Sequence, residues 1–321
     1  MAKQPERGEV IVATSKDLFI MTIARFLIVV ATLCLLFVEN SCADYVGAVM
    51  EHTVYNGVDG ESSDSKLSKN IEAYEQAVAV SAKHGVQVLV FPEFGLTPVA
   101  METRADLYPY IEVIPNVSDN VTPCNDASFS DRPILQRMSC AAQKHKQLIL
   151  VNMIDKVDCS AATDANCPSD GHYQYNTDVI FNEHGKLDAK YHKSHEVKSL
   201  QKSYDVAPTT EVTYKSSFGV EFGLFICFDI MFDDPPKVLR SRGIEHFLYA
   251  VEQHEIGEKT IIEGWSRNNN ATVLSANLGS GGRNDCSGLI VNGTPLDAQK
   301  YNILNKDFPH DNILVATVPS K

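Results

Sequence analysis

Three side chains that could share one reaction each stand directly behind an apolar run in this 321-residue chain. Glu93 follows Val88 to Pro92 (VLVFP), Lys193 follows Ala189 to His192 (AKYH), and Cys227 follows Gly223 to Ile226 (GLFI). A carboxylate can carry a proton, an ammonium can hold developing negative charge, and a thiolate is a strong nucleophile. The ends of buried strands suit such groups, because the sheet is rigid and the following loop opens to solvent. Taken singly, each residue has a plainer reading. A Glu behind a strand usually caps a helix or faces water, a Lys in a hairpin arm is usually solvated, and a lone Cys behind a strand is usually core. The ten histidines show no HExxH-type spacing and the cysteines no CxxC, so a zinc site is not expected.

The elements that would position these groups alternate between strand and helix. Tyr45 to Met50 reads as a short apolar strand. Leu67, Ile71, Tyr74 and Val78 then recur at helical spacing, and that helix stops by Gly85. Val86 to Phe91 reads as a buried strand, Pro133 to Lys146 as a helix with Asp131 near its start, and Leu148 to Ile154 as another strand. Asn176 to Phe181 and Lys186 to His192 form a hairpin around Asn182 to Gly185, with Gly where a positive φ is needed. Phe222 to Ile226 runs as a strand into Cys227, and Asp233, Asp234 and Pro235 look like a helix cap and first turn. A strand over Glu245 to Val251, a helix over Ile256 to Asn268 and a strand over Ala271 to Leu278 follow. This order predicts an α/β layered domain with helices covering sheet faces.

Composition narrows the partners. With 44% hydrophobic and 21% charged residues the chain is globular, and its formal net charge of −13 lacks the cationic footprint that nucleic acid or an anionic membrane requires. A small-molecule substrate fits better. The N-terminus reads as a signal peptide over residues 1–43: Phe26 to Val38 is an unbroken apolar run, and Ser41, Cys42 and Ala43 suit a cleavage site. Met21, with Arg25 shortly after it, reads as the true start. Residues 44–321 are then one secreted, extracellular domain without stable membrane insertion. An uncleaved anchor is the alternative.

Cysteine usage agrees with an oxidising route. Cys34 and Cys42 leave with the signal, and short loops favour the pairs Cys124 to Cys140 and Cys159 to Cys167, each worth about 3 kcal/mol if unstrained. Cys227 and Cys286 are left over. Asn-x-Ser/Thr sequons at Asn116, Asn120, Asn270 and Asn292 are candidate glycosylation sites.

The blocks VLVFPEFG, DAKYHK and GLFICFD, in that order, resemble the three signature blocks of the nitrilase superfamily. Longer strings are similar to its vanin (pantetheinase) and biotinidase branch: LYPYIEVIP from Leu107, PCN from Pro123, the stretch from Cys167 to Phe181, and CFDI-x-F-x-DP ending at Pro235. The resemblance implies an αββα sandwich and a Glu93, Lys193, Cys227 triad. It also implies hydrolysis of a pantetheine-like or biotinyl amide through a thioester, without metal or organic cofactor. Glu93 would be the base, and Lys193 with the backbone N–H of Phe228 would hold the oxyanion. Lys193 is further expected to lower the Cys227 thiol pKa.

Three departures from the branch shape the expectations. After the triad Lys, relatives carry a bracing second glutamate, for which Glu196 in SHEVKSLQKSYD stands too early. Ala250 to Glu255 (AVEQHE) offers Glu252, His254 and Glu255 where relatives have a pocket-lining Trp, predicting a more polar pocket. Relatives also continue into a β-rich second domain, whereas this chain stops at Lys321. A catalytically weakened or inactive binding protein that keeps the fold is therefore the alternative function.

Overall fold

The computed structural model describes residues 43–97, 103–252, 258–279, 287–303 and 305–320. The expected signal segment with Met21, Cys34 and Cys42, together with His254, Glu255 and Cys286, lies outside the described residues.

Two sheets form the centre. The first is built from β1 (Tyr45–Glu51), β2 (Val88–Val90), β3 (Ile111–Glu112), β4 (Leu148–Asp158), β5 (His172–Phe181), β6 (Leu187–His192) and, from the far end of the chain, β13 (Gln299–Asn302) and β14 (Asn312–Val318). Their order is β13-β14-β1-β2-β4-β5-β6, with β3 alongside β4. The β1-β2-β4 part is parallel and buried on both faces, which is why these strands are nearly continuous apolar runs. The second sheet holds β7 (Thr213–Lys215), β8 (Glu221–Ile226), β9 (His246–Val251), β10 (Thr272–Asn277), β11 (Gly288–Val291) and β12 (Thr294–Pro295), in the order β12-β11-β10-β9-β8-β7. The sheets pack face to face, β1 on β10, β2 on β9 and β5 on β8.

Helices cover the outside. α1 (Ser63–Ala82) is capped by Ser62, whose side chain accepts from Ser65 N, and buries Leu67, Ile71, Tyr74 and Val78, the stripe expected from their spacing. α2 (Pro133–His145) packs beside it and against β4 and β5. α3 (Pro236–Ser241) contacts β8, and α4 (Glu258–Asn269) contacts β10 and β11. The result is the αββα sandwich.

Some local expectations need correction. Asp131 lies just before α2, as expected, but the helix end is capped from elsewhere. The buried carboxylate of Glu112 reaches in from β3, its Oε1 accepting from Ile134 N at 2.7 Å and its Oε2 from Leu135 N at 3.0 Å. A cap supplied from across the fold leaves no local signal. Likewise α3 starts at Pro236 with Pro235 as its cap residue, and Asp233 instead pairs with Lys237 at 2.6 Å. β4 and β5 run well past their apolar cores, because antiparallel pairing continues to Asp158 opposite His172.

The loops are tied down covalently. Cys124 bonds Cys140, joining the turn at Pro123–Asn125 to α2, and Cys159 bonds Cys167 beyond the end of β4, with Cα separations of 4.7 and 5.7 Å. Asn116, Asn120, Asn270 and Asn292 are all exposed. Among the described residues no helix is long and apolar enough to cross a membrane.

Candidate active site

The first sheet delivers two of the three candidate groups. Glu93 follows β2 in a loop pressed against the core, where any Cβ at Gly95 would collide with the Tyr74 hydroxyl. The loop is further held by Phe94, which sits in the left-handed region at φ 58° and donates its N–H to Asn152 Oδ1 at 3.0 Å. Lys193 follows β6, and its own N–H donates to the Asn176 carbonyl at 2.9 Å. Both side chains are 1% exposed, and Lys193 Nζ lies 2.7 Å from Glu93 Oε1. That oxygen also accepts from Asn176 Nδ2 at 2.7 Å, while Oε2 accepts from Glu252 N at 3.0 Å. Every lone-pair direction of this carboxylate is engaged by a fixed donor or faces the cavity, as a buried charge requires.

Glu196 corrects the sequence reading. It is buried, with Oε2 3.2 Å from Lys193 Nζ, so the brace judged absent is present. The chain turns sharply after β6, bringing a residue only three positions on back over the ammonium. Distance along the sequence was the wrong measure.

The second sheet delivers the nucleophile candidate. Cys227 ends β8 and opens a 3₁₀ turn over Cys227–Met231, with φ 43°, a backbone region that costs a non-glycine residue about 1–2 kcal/mol. The surroundings hold it there. Tyr249 Oη donates to the Cys227 carbonyl at 2.9 Å. Asp229 Oδ2 accepts from Ile226 N and Tyr191 Oη, and its Oδ1 accepts from His195 N, tying the turn to the loop that carries Lys193. The Cys227 sulfur lies 3.8 Å from the Glu252 carbonyl. Phe228, next in the turn, also lines the site.

Electrostatics assigns protonation states. Burial acts to lower the Lys193 pKa, but the charges of Glu93 and Glu196 outweigh it and hold the ammonium well above its ordinary value. Burial pushes Glu196 up to about 7, with Lys193 opposing. Cys227 is pushed well above the ordinary thiol value by burial, with the Glu93 charge adding to it and Lys193 opposing. Lys193 acts to lower this thiol, in the direction expected, but burial and the Glu93 charge outweigh it, so the resting group is S–H.

These groups form the floor of a cavity of about 240 Å³. Its walls among the described residues are mainly apolar and aromatic, including Phe94, Leu200, Phe228, Tyr249, Ile261 and Ile262. Of the residues expected to make the pocket more polar, Glu252 lines it, and His254 and Glu255 lie outside the described residues. Glu252 contributes its backbone N–H and carbonyl to Glu93 and Cys227, and the aromatics come from other segments. Asn152, Asn176, Asp178 and Glu196 were missed as site residues. For the first three the only available signal was a polar side chain interrupting an otherwise apolar strand.

The αββα sandwich that carries this carboxylate–ammonium pair and thiol has counterparts among known proteins. The carbon-nitrogen hydrolase family model matches residues 58–269, and the chain belongs to that family. Within the nitrilase superfamily it stands beside the biotinidases and pantetheinases. It is 32% identical to biotinidase of Takifugu rubripes over 307 residues, covering 90% of this chain and 59% of that protein. It is 35% identical to pantetheinase of Bos taurus over 251 residues, covering 74% and 49% respectively. The chain thus spans about half the length of these curated relatives. A solved amidase from Nesterenkonia sp. shares the fold, with a TM-score of 0.58 at 16% identity over 87% of this chain and 92% of that one.

Proposed function

We propose that this protein is a secreted amidase that cleaves a carbon–nitrogen bond through a Cys227 thioester, with Glu93 as general base and acid and Lys193 as oxyanion partner. The observation that carries the reading is the convergence of these three groups at the floor of one cavity, with the 2.7 Å Lys193–Glu93 contact buried. Because the thiol rests as S–H, its proton passes to Glu93 as the sulfur attacks the amide carbonyl. Negative charge on the carbonyl oxygen is held by Lys193 and the N–H of Phe228. Collapse breaks the C–N bond, Glu93 returns the proton to the departing amine, and a thioester remains. Water then attacks, again giving its proton to Glu93. The acid leaves and the thiol is restored from Glu93. No step calls for a metal or organic cofactor.

The apolar walls favour a neutral, apolar acyl group, with the amine portion at the mouth beside the exposed Met231 and Ile261. Pantetheine-like and biotinyl amides both carry a neutral acyl group, in keeping with the names of the relatives. Removal of residues 1–43, export, and glycosylation at one or more of Asn116, Asn120, Asn270 and Asn292 belong to the same proposal, supported by the disulfides and the exposure of those asparagines.

The test is hydrolysis of a pantetheine amide beside a biotinyl amide by purified protein, with Cys227→Ala as control. Turnover of either, lost in the variant, is the expected result. No turnover of any amide while Cys227 stays reduced would hand the case to a binding protein that keeps the fold.

A further inference from the structure

Asn152 and Asn176 form a short chain of amides behind Glu93 whose direction is fixed by the backbone. The N–H of Phe94 can only donate, so Asn152 must meet it with Oδ1, at 3.0 Å. The Asn152 amino group therefore points the other way, donating to Asn176 Oδ1 at 2.8 Å and to Asp178 Oδ1 at 2.9 Å. Asn176 in turn has only its amino group left for Glu93 Oε1, at 2.7 Å. Neither amide can flip without placing donor against donor or oxygen against oxygen in a buried site. Asp178 is compatible with this polarity. Burial pushes its carboxyl well above the usual carboxylate range, and its Oδ1 accepts from Asn152.

We propose that Asn152 and Asn176 are positioning residues whose fixed polarity confines the mobile proton of Glu93 to Oε2. Oε1 already receives Lys193 Nζ and Asn176 Nδ2, so a proton there would face two donors. Among the described residues Oε2 receives the backbone N–H of Glu252, and the carbonyl of that same residue touches the Cys227 sulfur. The proton taken from the thiol is thereby kept on the oxygen that shares Glu252 with the Cys227 sulfur. This inference rests on the role proposed above for Glu93, but Asn152 touches neither Glu93 nor the cavity.

The experiment uses the full chain with two variants, Asn152→Ala and Asn176→Asp, and two pH profiles. One is kcat/KM for the amide that is turned over, and the other is the rate of Cys227 alkylation by iodoacetamide, which needs no substrate. Asn176→Asp keeps an acceptor for Asn152 but sets oxygen against Oε1, so a proton should be drawn between them. The rising limb of both profiles should move up by about one pH unit, a loss of about tenfold on the limb. Asn152→Ala frees Asn176 to turn and should move both limbs the same way by roughly half as much, with KM within about twofold. Folded Asn152→Ala protein whose limbs coincide with wild type would overturn the proposal, whatever its absolute rate. Should that variant not fold, unmoved limbs in Asn176→Asp would do the same. A wild-type protein that hydrolyses no amide, with variants whose alkylation profiles shift from it as described, would refute the amidase reading while supporting the proton placement.

Discussion

The two sides of the site are built on opposite plans. The eight-stranded sheet supplies a closed polar block, in which Glu93, Asn152, Asn176, Asp178, Lys193 and Glu196 are all nearly inaccessible to solvent. The six-stranded sheet supplies a strained turn bearing Cys227 and, with neighbouring loops and α4, a largely apolar wall open to the cavity. Charge is thus kept where groups cannot move, and the substrate meets surface that makes few polar demands. Low polarizability around the block strengthens each interaction inside it and makes each unpaired group costly. Changes on the polar side should therefore appear in rate and pH dependence, and changes on the apolar side in binding.

The largest expected effect lies at the ammonium. Lys193→Ala should lose on the order of 10²-fold or more in kcat, the scale found when one oxyanion donor is removed, and it leaves Glu93 and Glu196 buried without their cation. Glu196→Gln should cost less, about tenfold, and should erase an inflection near pH 7 from the kcat profile, because Glu196 titrates there at about 7. A Gln variant that keeps the inflection would assign it to another group and weaken the view of a single coupled block.

On the apolar side the effect should be smaller and of a different kind. Ile261 lines the cavity yet is 41% exposed, so Ile261→Asp should fold normally. It should raise KM for an apolar acyl amide by about 3- to 10-fold, equivalent to roughly 1 kcal/mol of lost apolar contact, while kcat changes little. Steady-state kinetics on two amides differing in acyl polarity would check it. A fall in kcat at constant KM would blur the division between the two sides.

Much of this division was legible in the sequence, though unevenly. Glu93, Lys193 and Cys227 stood out because each follows an apolar strand, and the nearby cysteines paired as their loop lengths suggested. The block behind Glu93 was not legible. Asn152 lies inside LILVNMI and Asn176 opens NTDVIF, and strand pairing alone sets Asn152 opposite Asp178 and Ile154 opposite Asn176. Glu196 was set aside on spacing, which cannot register a chain reversal. The cavity wall was legible only in part, because Phe94 joins Phe228 and Tyr249 in it from more than a hundred residues away.

Glu112 offers the subtlest test, since it repeats the carboxylate of the polar block without its cation. Like Glu93 it is buried on the eight-stranded sheet and accepts backbone N–H groups, but among the described residues no cation pairs with it directly, and Arg132 opposes the burial only through its charge. Burial raises it to about 7 from the ordinary 4.5, with the N–H groups of Ile134 and Leu135 only partly opposing. A carboxyl with a raised folded-state pKa binds its proton more tightly in the native protein than in the unfolded chain. Its contribution to stability is then fully present below about 4.5 and is lost as pH rises through about 7. The stability difference between wild type and Glu112→Gln should therefore shrink by up to about 3 kcal/mol across that interval and flatten above it. Chemical denaturation of both proteins at a series of pH values measures this directly. A difference that stays constant, or that grows with pH, would show that the N-terminus of α2 stabilises the Glu112 carboxylate as fully as Lys193 stabilises Glu93, and a helix end would then be worth as much as a buried ammonium in this sheet.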